Sequence, residues 1–310
     1  VNPFRKFVSE YARLFQGGKK LPLGCPQKFP RHPKVPGNAP KALIFSPHPD
    51  DECIVGGLAL RLLREAKWNV INVAVTLGGR KERRAARLRE LKNACDFLGF
   101  GLAMADWEDI NPVARRENHL NWRAAVKTVA EILAEQRPRV IFLPHENDGH
   151  GTHIGTHFLV LDALKTLPAG FKCHVVETEF WGQMTDPNLL VESSVEDVGD
   201  LVAALACHAG EVRRNPYHAR LPAWMMDNVR RGAELVGGPS PRRSGFVHAG
   251  GPSPRRSGFV HAGGQGGSAP DFTFATIYRH RQWSCGRLKD VLKNGNFLSC
   301  AGNPASLFGI

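Results

Sequence analysis

Ser46-Pro47-His48-Pro49-Asp50-Asp51-Glu52 places an imidazole beside three consecutive carboxylates within seven residues. A second polar cluster, His145 to His157, holds four histidines (His145, His150, His153, His157) with Glu146 and Asp148. Neutral imidazoles and carboxylates are the ligands of a mononuclear metal site that keeps a position open for water, and a spare carboxylate beside it can act as general base. Both clusters also have a purely structural reading. Asp is a good helix N-cap and acidic residues suit the first turn, so Asp50, Asp51 and Glu52 could simply start a helix. His48 directly upstream, stiffened by Pro47 and Pro49, favours a site, because a rigid turn can aim His and Asp at one ion. In the second cluster the His150-x-x-His153 spacing beside glycines favours metal ligation. His157 stands four residues after His153, but no Glu follows His153 as a zincin helix requires, so His157 reads as a helix-face histidine.

Each cluster must be held by the element before it. Lys41 to Phe45 reads as a buried strand, and Ile54, Val55, Leu58, Leu62 and Ala66 give the stripe of a helix lying on it. Val70 to Thr76 is a second strand, Arg83 to Leu98 a second helix stopped by Gly99, and Trp122 to Leu133 a third, broken by Pro138 before a strand at 140–143. Helices are expected at 156–167, 195–208 and 223–235, and strands at 175–180 and 272–278. This alternation predicts an α/β fold, a Rossmann-like three-layer sandwich with a mostly parallel sheet. Ligands bind beyond the carboxyl ends of such strands, where both clusters stand. A helix at 2–15 and a Pro-rich extended arm (21–40) precede this domain, giving an organisation of 1–40 and 41–310. Within the latter, residues 239–251 recur unchanged as 252–264. A unit this short is no solenoid repeat, and it reads as a mobile, dispensable insertion at 239–264.

No run approaches the roughly 20 apolar residues of a membrane span, and no signal-peptide pattern opens the chain, so a soluble cytoplasmic protein is expected. Seven scattered cysteines without a C-x-x-C pair read as reduced thiols. The formal charge of +12 is largely local: seven basic residues stand between Arg80 and Lys92, and four arginines lie in the repeat. This is weak ground for nucleic-acid binding, which is not expected.

Pro47-His48-Pro49-Asp50-Asp51-Glu52 followed by His150-x-x-His153 resembles the LmbE-like/PIG-L family of zinc-dependent de-N-acetylases, over roughly Lys41 to Leu167. Later stretches, Glu177-Thr178-Glu179-Phe180-Trp181-Gly182 and Asn215-Pro216-Tyr217-His218, are similar to a bacterial LmbE-like branch. The resemblance implies His48, Asp51 and His153 as metal ligands, Asp50 as general base, and His150 as the group that stabilises the oxyanion or protonates the leaving amine. It further implies Zn²⁺, replaceable by another divalent ion such as Fe²⁺, and a small-molecule N-acyl amino-sugar substrate. Arg87 aligns with a family arginine that contacts substrate, and Trp181 is placed to stack on a sugar ring. For both, surface charge and core packing are the bland alternatives, as they are for His208 and His218. Thr152 departs from the family, many members having Asp there. The expected activity is hydrolytic removal of an N-acetyl group from an N-acetylglucosamine-type conjugate; the alternative is a catalytically degenerate sugar or sugar-nucleotide binding protein. A homo-oligomer is compatible with either.

Overall fold

The computed structural model describes residues 2–108, 110–237, 271–291 and 295–309, together with the backbone of 246–248 and 259–261. After helix α1 (Phe4–Gly18) and the irregular arm come β1 (Lys41–Ser46), α2 (Asp51–Ile54), α3 (Gly57–Arg64), β2 (Asn69–Ala74), α4 (Arg84–Leu98) and β3 (Gly101–Met104). Next follow α5 (Pro112–Arg116), α6 (Leu120–Gln136), β4 (Val140–Pro144), α7 (Gly151–Thr166), β5 (Cys173–Thr178) and β6 (Leu189–Ser193). Then come α8 (Val195–Cys207), α9 (Ala209–Val212), α10 (Tyr217–Gly232), β7 (Phe246–His248) and β8 (Phe259–His261), and finally β9 (Phe274–Ser284), β10 (Arg287–Asp290) and β11 (Asn296–Leu298).

The main sheet has the order β11-β6-β9-β5-β4-β1-β2-β3, with β10 paired to β9. Strands β1 to β5 are mutually parallel, and β9 runs antiparallel between β5 and β6. Both faces are covered, which is why β1 reads as a continuous apolar run. Ala42 and Ile44 point into a core shared with Leu58, Leu91 and Leu201 from α3, α4 and α8. Leu43 and Phe45 enter a second core with Val129 and Leu159 from α6 and α7. The chain leaves β1 toward β2 and β3, then returns to β4 on its other side. The loops after β1 and β4 therefore diverge at the sheet's switch point and open a crevice there.

Several boundaries differ from the sequence pattern for identifiable reasons. The single helix expected from Ile54 is interrupted between α2 and α3, because the buried Tyr278 hydroxyl donates to Val55 O (2.8 Å) and accepts from Leu58 N–H (3.1 Å). α10 begins at Tyr217, six residues early, with Pro222 inside it concealing the pattern. β3, β6, β10 and β11 are too short to announce themselves. The Pro-rich arm lacks regular structure yet is seated: Leu23, Cys25 and Val35 pack on the core, and Gly24 N–H bonds Ala206 O at 2.9 Å. Of the repeat, only the backbones of β7 and β8 are described, pairing antiparallel with Val247 opposite Val260; the expected mobility and dispensability of 239–264 concern residues mostly outside the described ones. Among the described residues, no helix is long and apolar enough to cross a membrane.

One buried pair gives this sheet a pH dependence. His174 on β5 and His280 on β9 share a hydrogen bond of 2.9 Å between Nδ1 and Nε2, which only one proton can occupy. Burial holds His174 down to about 4 and His280 to about 3, the latter also through its neighbour. The unfolded chain, with imidazoles near 6.5, binds more protons below that pH. Stability should thus be full above about pH 6.5 and fall as the pH drops toward 4 and 3. A His280→Gln variant is expected to flatten that acid slope, measured as the urea midpoint between pH 7 and 4.

Candidate metal centre

The loop leaving β1 is held in an unusual shape. Asp50 has φ 116° and ψ −25°, a conformation that costs a non-glycine residue of the order of 1–3 kcal/mol. Its N–H donates to Glu52 Oε2 (3.0 Å), and Glu52 Oε1 is bonded to His208 Nε2 at the start of α9 (2.7 Å). His48 N–H donates to Asp51 Oδ2 (2.8 Å), and Thr76 Oγ1 donates to Pro47 O (2.7 Å). The Asp50 side chain makes no capping hydrogen bond. The three acids do start α2, with Asp50 at the N-cap position and Asp51 and Glu52 in the first turn, but the Asp50 side chain lines the cleft.

The loop after β4 brings the second cluster opposite. His150 is the N-cap of α7, and its Nδ1 accepts Thr152 N–H at 3.3 Å. His153 follows on the first turn of α7. The rings of His48, His150 and His153 form a triangle with centroids 5.0, 5.3 and 5.4 Å apart, and each can offer a nitrogen within 4.8 Å of the others.

Hydrogen bonding separates their roles. With Nδ1 accepting, the neutral His150 ring carries its proton on Nε2 and presents a donor. His153 Nδ1 lies 3.1 Å from Asp148 Oδ1, a wholly buried carboxylate, and its Nε2 faces Asp51 Oδ2 at 3.5 Å. That same oxygen is 3.7 Å from His48 Nδ1. Asp51 Oδ1, Asp148 Oδ1 and both ring nitrogens of His153 are buried without a hydrogen-bond partner. So many unsatisfied polar atoms in one buried spot call for a cation or protons to satisfy them. The donor set of two imidazoles and a carboxylate fits a divalent metal.

The electrostatics follow from burial. Burial, with the charges of Asp51 and Glu52, pushes Asp50 well above the usual carboxylate range, opposed by Arg87. Burial likewise lifts Asp51 to about 6 against the pull of His153. Burial disfavours charge on Glu52 too, but His208 and two backbone donors outweigh it and lower the carboxyl. His48 is held well below the ordinary imidazole range by burial and by its histidine neighbours.

A cleft of about 330 Å³ opens over these groups, lined also by Arg80, Arg83, Arg87, Phe180, Trp181, Glu211, Arg214 and Tyr217. Arg87 donates to Pro49 O and Leu77 O, both at 3.4 Å. A Cβ on Gly78, whose φ is +80°, would come within 1.9 Å of that guanidinium. Trp181 is half exposed and stacks on His150 with centroids 5.7 Å apart, and Tyr217 meets it edge-on at 6.4 Å. Both sequence-derived rim candidates thus stand in the cleft. Tyr217, Asp148 and the Glu52–His208 pair were not singled out as site residues, although Asp148 lies inside the second cluster and Tyr217 inside Asn215-Pro216-Tyr217-His218. Asp148 Oδ2 also accepts Phe180 N–H (3.0 Å) and Trp181 N–H (3.4 Å), tying the rim to His153.

The other histidines stay outside the trio. His145 is bonded to Gly182 O at 2.9 Å, His157 to Pro144 O at 2.9 Å, and His218 to Gly18 O at 3.2 Å. His157 meets Glu146 and Glu177 in another group of donors, but Arg279 and Arg281 already pair with those carboxylates.

Both clusters and the strands that carry them fall within one recognisable segment. Residues 43–164 match the family model PIG-L, GlcNAc-PI de-N-acetylase. The PIG-L resemblance extends to two relatives, each a 1D-myo-inositol 2-acetamido-2-deoxy-alpha-D-glucopyranoside deacetylase. That of Segniliparus rotundus is 29% identical over 43% of this chain and 52% of its own; that of Thermomonospora curvata is 31% identical over 40% and 52%. The chain spans about half the length of these curated relatives. Among solved structures, the conserved protein TT1542 from Thermus thermophilus superposes with TM-score 0.52 at 18% identity, covering 77% of this chain and 93% of that one. N,N'-diacetylchitobiose deacetylase from Pyrococcus horikoshii gives 0.50 at 16%, covering 88% and 92%. The hydratase GalB from Pseudomonas putida gives 0.52 at 17%, covering 78% and 95%. These likenesses show a shared α/β fold, on which a deacetylase and a hydratase both occur, so the chemistry has to be argued from the site.

The rim loop after β5 rests on one ion pair. Glu179 and Arg231 are both buried and bonded to each other, and Glu179 Oε2 also accepts Met184 N–H at 2.6 Å. Glu179→Ala, which strands the guanidinium, should lower unfolding stability by about 3–5 kcal/mol. Glu179→Leu with Arg231→Met should lose markedly less, both read from denaturant midpoints.

Proposed function

We propose that this chain is a zinc-dependent hydrolase that removes an N-acetyl group from an N-acetylglucosamine-type sugar conjugate. The observation that carries the reading is the opposed pair Asp51 Oδ2 and His153 Nε2, 3.5 Å apart, with Asp51 lining the cleft beside Asp50, His48 and His150. His48, Asp51 and His153 hold the ion in this reading, and Asp148 fixes the His153 tautomer so that Nε2 is the ligating atom. A bound divalent metal supplies Lewis acidity toward the acyl oxygen and makes water acidic enough to attack near neutral pH.

The remaining steps belong to the chain. Asp50 takes the proton of the attacking water; burial and the neighbouring carboxylates raise its proton affinity well above the usual carboxylate range, which suits a base that must hold that proton. His150, protonated on Nε2, donates to the oxygen on which negative charge develops. That tautomer supports the oxyanion role in this reading. Asp50, now a carboxylic acid, is then the group that returns the proton to the amine nitrogen as the C–N bond breaks, giving acetate and a free amine. Trp181 and Tyr217 offer aromatic faces to a sugar ring, and Arg87 a donor to its oxygens. The PIG-L match and the amino-sugar deacetylase names of the relatives support the substrate class.

Protein purified without chelator should carry close to one equivalent of zinc or iron and release acetate from N-acetylglucosamine conjugates; metal binding without any acetate release would leave the binding-protein alternative. Asp50→Asn should keep the metal while turnover falls by about 10²–10⁴-fold. His153→Ala should lose the metal itself, seen by elemental analysis. If Asp50→Asn lost metal and His153→Ala kept it, the assignment of roles would be reversed.

A further inference from the structure

α1 is sorted by face in a way the catalytic reading does not use. At 3.6 residues per turn, Phe4, Phe7, Val8, Tyr11, Leu14 and Phe15 fall within an arc of about 120°. Arg5, Lys6, Ser9, Arg13 and Gln16 take the opposite side. No residue of α1 is buried. Phe4 is 71% exposed, Phe7 59%, Val8 61% and Leu14 72%. Single apolar side chains on a surface need no explanation, but a continuous stripe of this kind does.

Among the described residues, the helix is held at its last turn. Gly18 O is bonded to His218 Nε2 at 3.2 Å, and the Arg220 guanidinium lies 5.2 Å from the Phe15 ring centroid. Both partners belong to α10, whose first residue, Tyr217, lines the cleft. The earlier turns hold their aromatic stripe outward.

Charge decides between the occupants such a stripe could have. Arg5, Lys6, Arg13, Lys19 and Lys20 stand on or just beyond α1 against one acid, Glu10. Two copies paired through their stripes would offer these basic side chains no countercharge, whereas an anionic lipid surface supplies it while taking up the aromatic face. We infer that α1 is an interfacial anchor that seats this chain on membranes carrying anionic lipid, with Phe4, Phe7, Tyr11 and Leu14 immersed among the headgroups.

Flotation of the whole chain with vesicles tests this. Vesicles of phosphatidylcholine with roughly 30 mol% phosphatidylglycerol should carry the protein at least about tenfold better than phosphatidylcholine alone, and about 0.5 M salt should weaken that binding. Phe7→Glu with Leu14→Glu should reduce flotation by about tenfold or more, with thermal unfolding unchanged because neither side chain is buried. Failure of the wild type to float with the anionic vesicles, or equal flotation of the double variant, would overturn the inference. So would a wild-type dimer in sedimentation velocity that the double variant splits while neither form binds vesicles, since α1 would then pair with its own copy.

Discussion

Asp50, Asp51 and Glu52 bring three adjacent carboxylates into one buried turn with little water to solvate them, and burying unpaired charge is costly. The groups that oppose this cost come from different quarters of the fold, and only for Glu52 do they outweigh it. Glu52 is answered by His208 after α8, Asp51 by the His48 backbone and the facing His153 of α7, and Asp50 by the neighbourhood of Arg87 on α4. The turn can exist only where the ends of β1, α4, α7 and α8 converge. The sheet's switch point is that place.

The same dependence explains a conformation that would otherwise be expensive. Glu52 links His208 to the Asp50 backbone, so a buried imidazole on one helix stabilises a positive φ on the next loop. Asp50 is thereby presented to the cleft and withheld from α2, where a side chain of its type would ordinarily cap.

Much of this was legible because it depended on local residue types. β1 and β4 are apolar runs buried on both faces, and the polar clusters ending them are conspicuous from residue type and spacing, while the separate roles within them rested on the family resemblance; His48, Asp51, His150 and His153 do converge. What stayed hidden is long-range. The break between α2 and α3 is made by Tyr278, more than two hundred residues away, through two hydrogen bonds. The antiparallel direction of β9 depends on its neighbours, and nothing in its own alternation encodes it. Asp148 escaped notice because Thr152 marks the place where an acid next to His150 is missing, whereas the fold supplies one to His153 from the preceding turn.

Asp148 has a consequence for how this cleft can diverge. One of its oxygens faces His153 while the other holds the backbone of Phe180 and Trp181, and Gly182 sits where a Cβ would lie 2.4 Å from Asp148 O. The wall bearing Trp181 is therefore mechanically geared to the histidine beneath it, and drift in that wall disturbs the floor. On the facing wall Tyr217 packs edge-on against Phe180 and Trp181 and so leans on the same gear, whereas Glu211 and Arg214 pair with each other. The cleft thus has one wall coupled to its floor and, at Glu211 and Arg214, a stretch that answers first to its own ion pair.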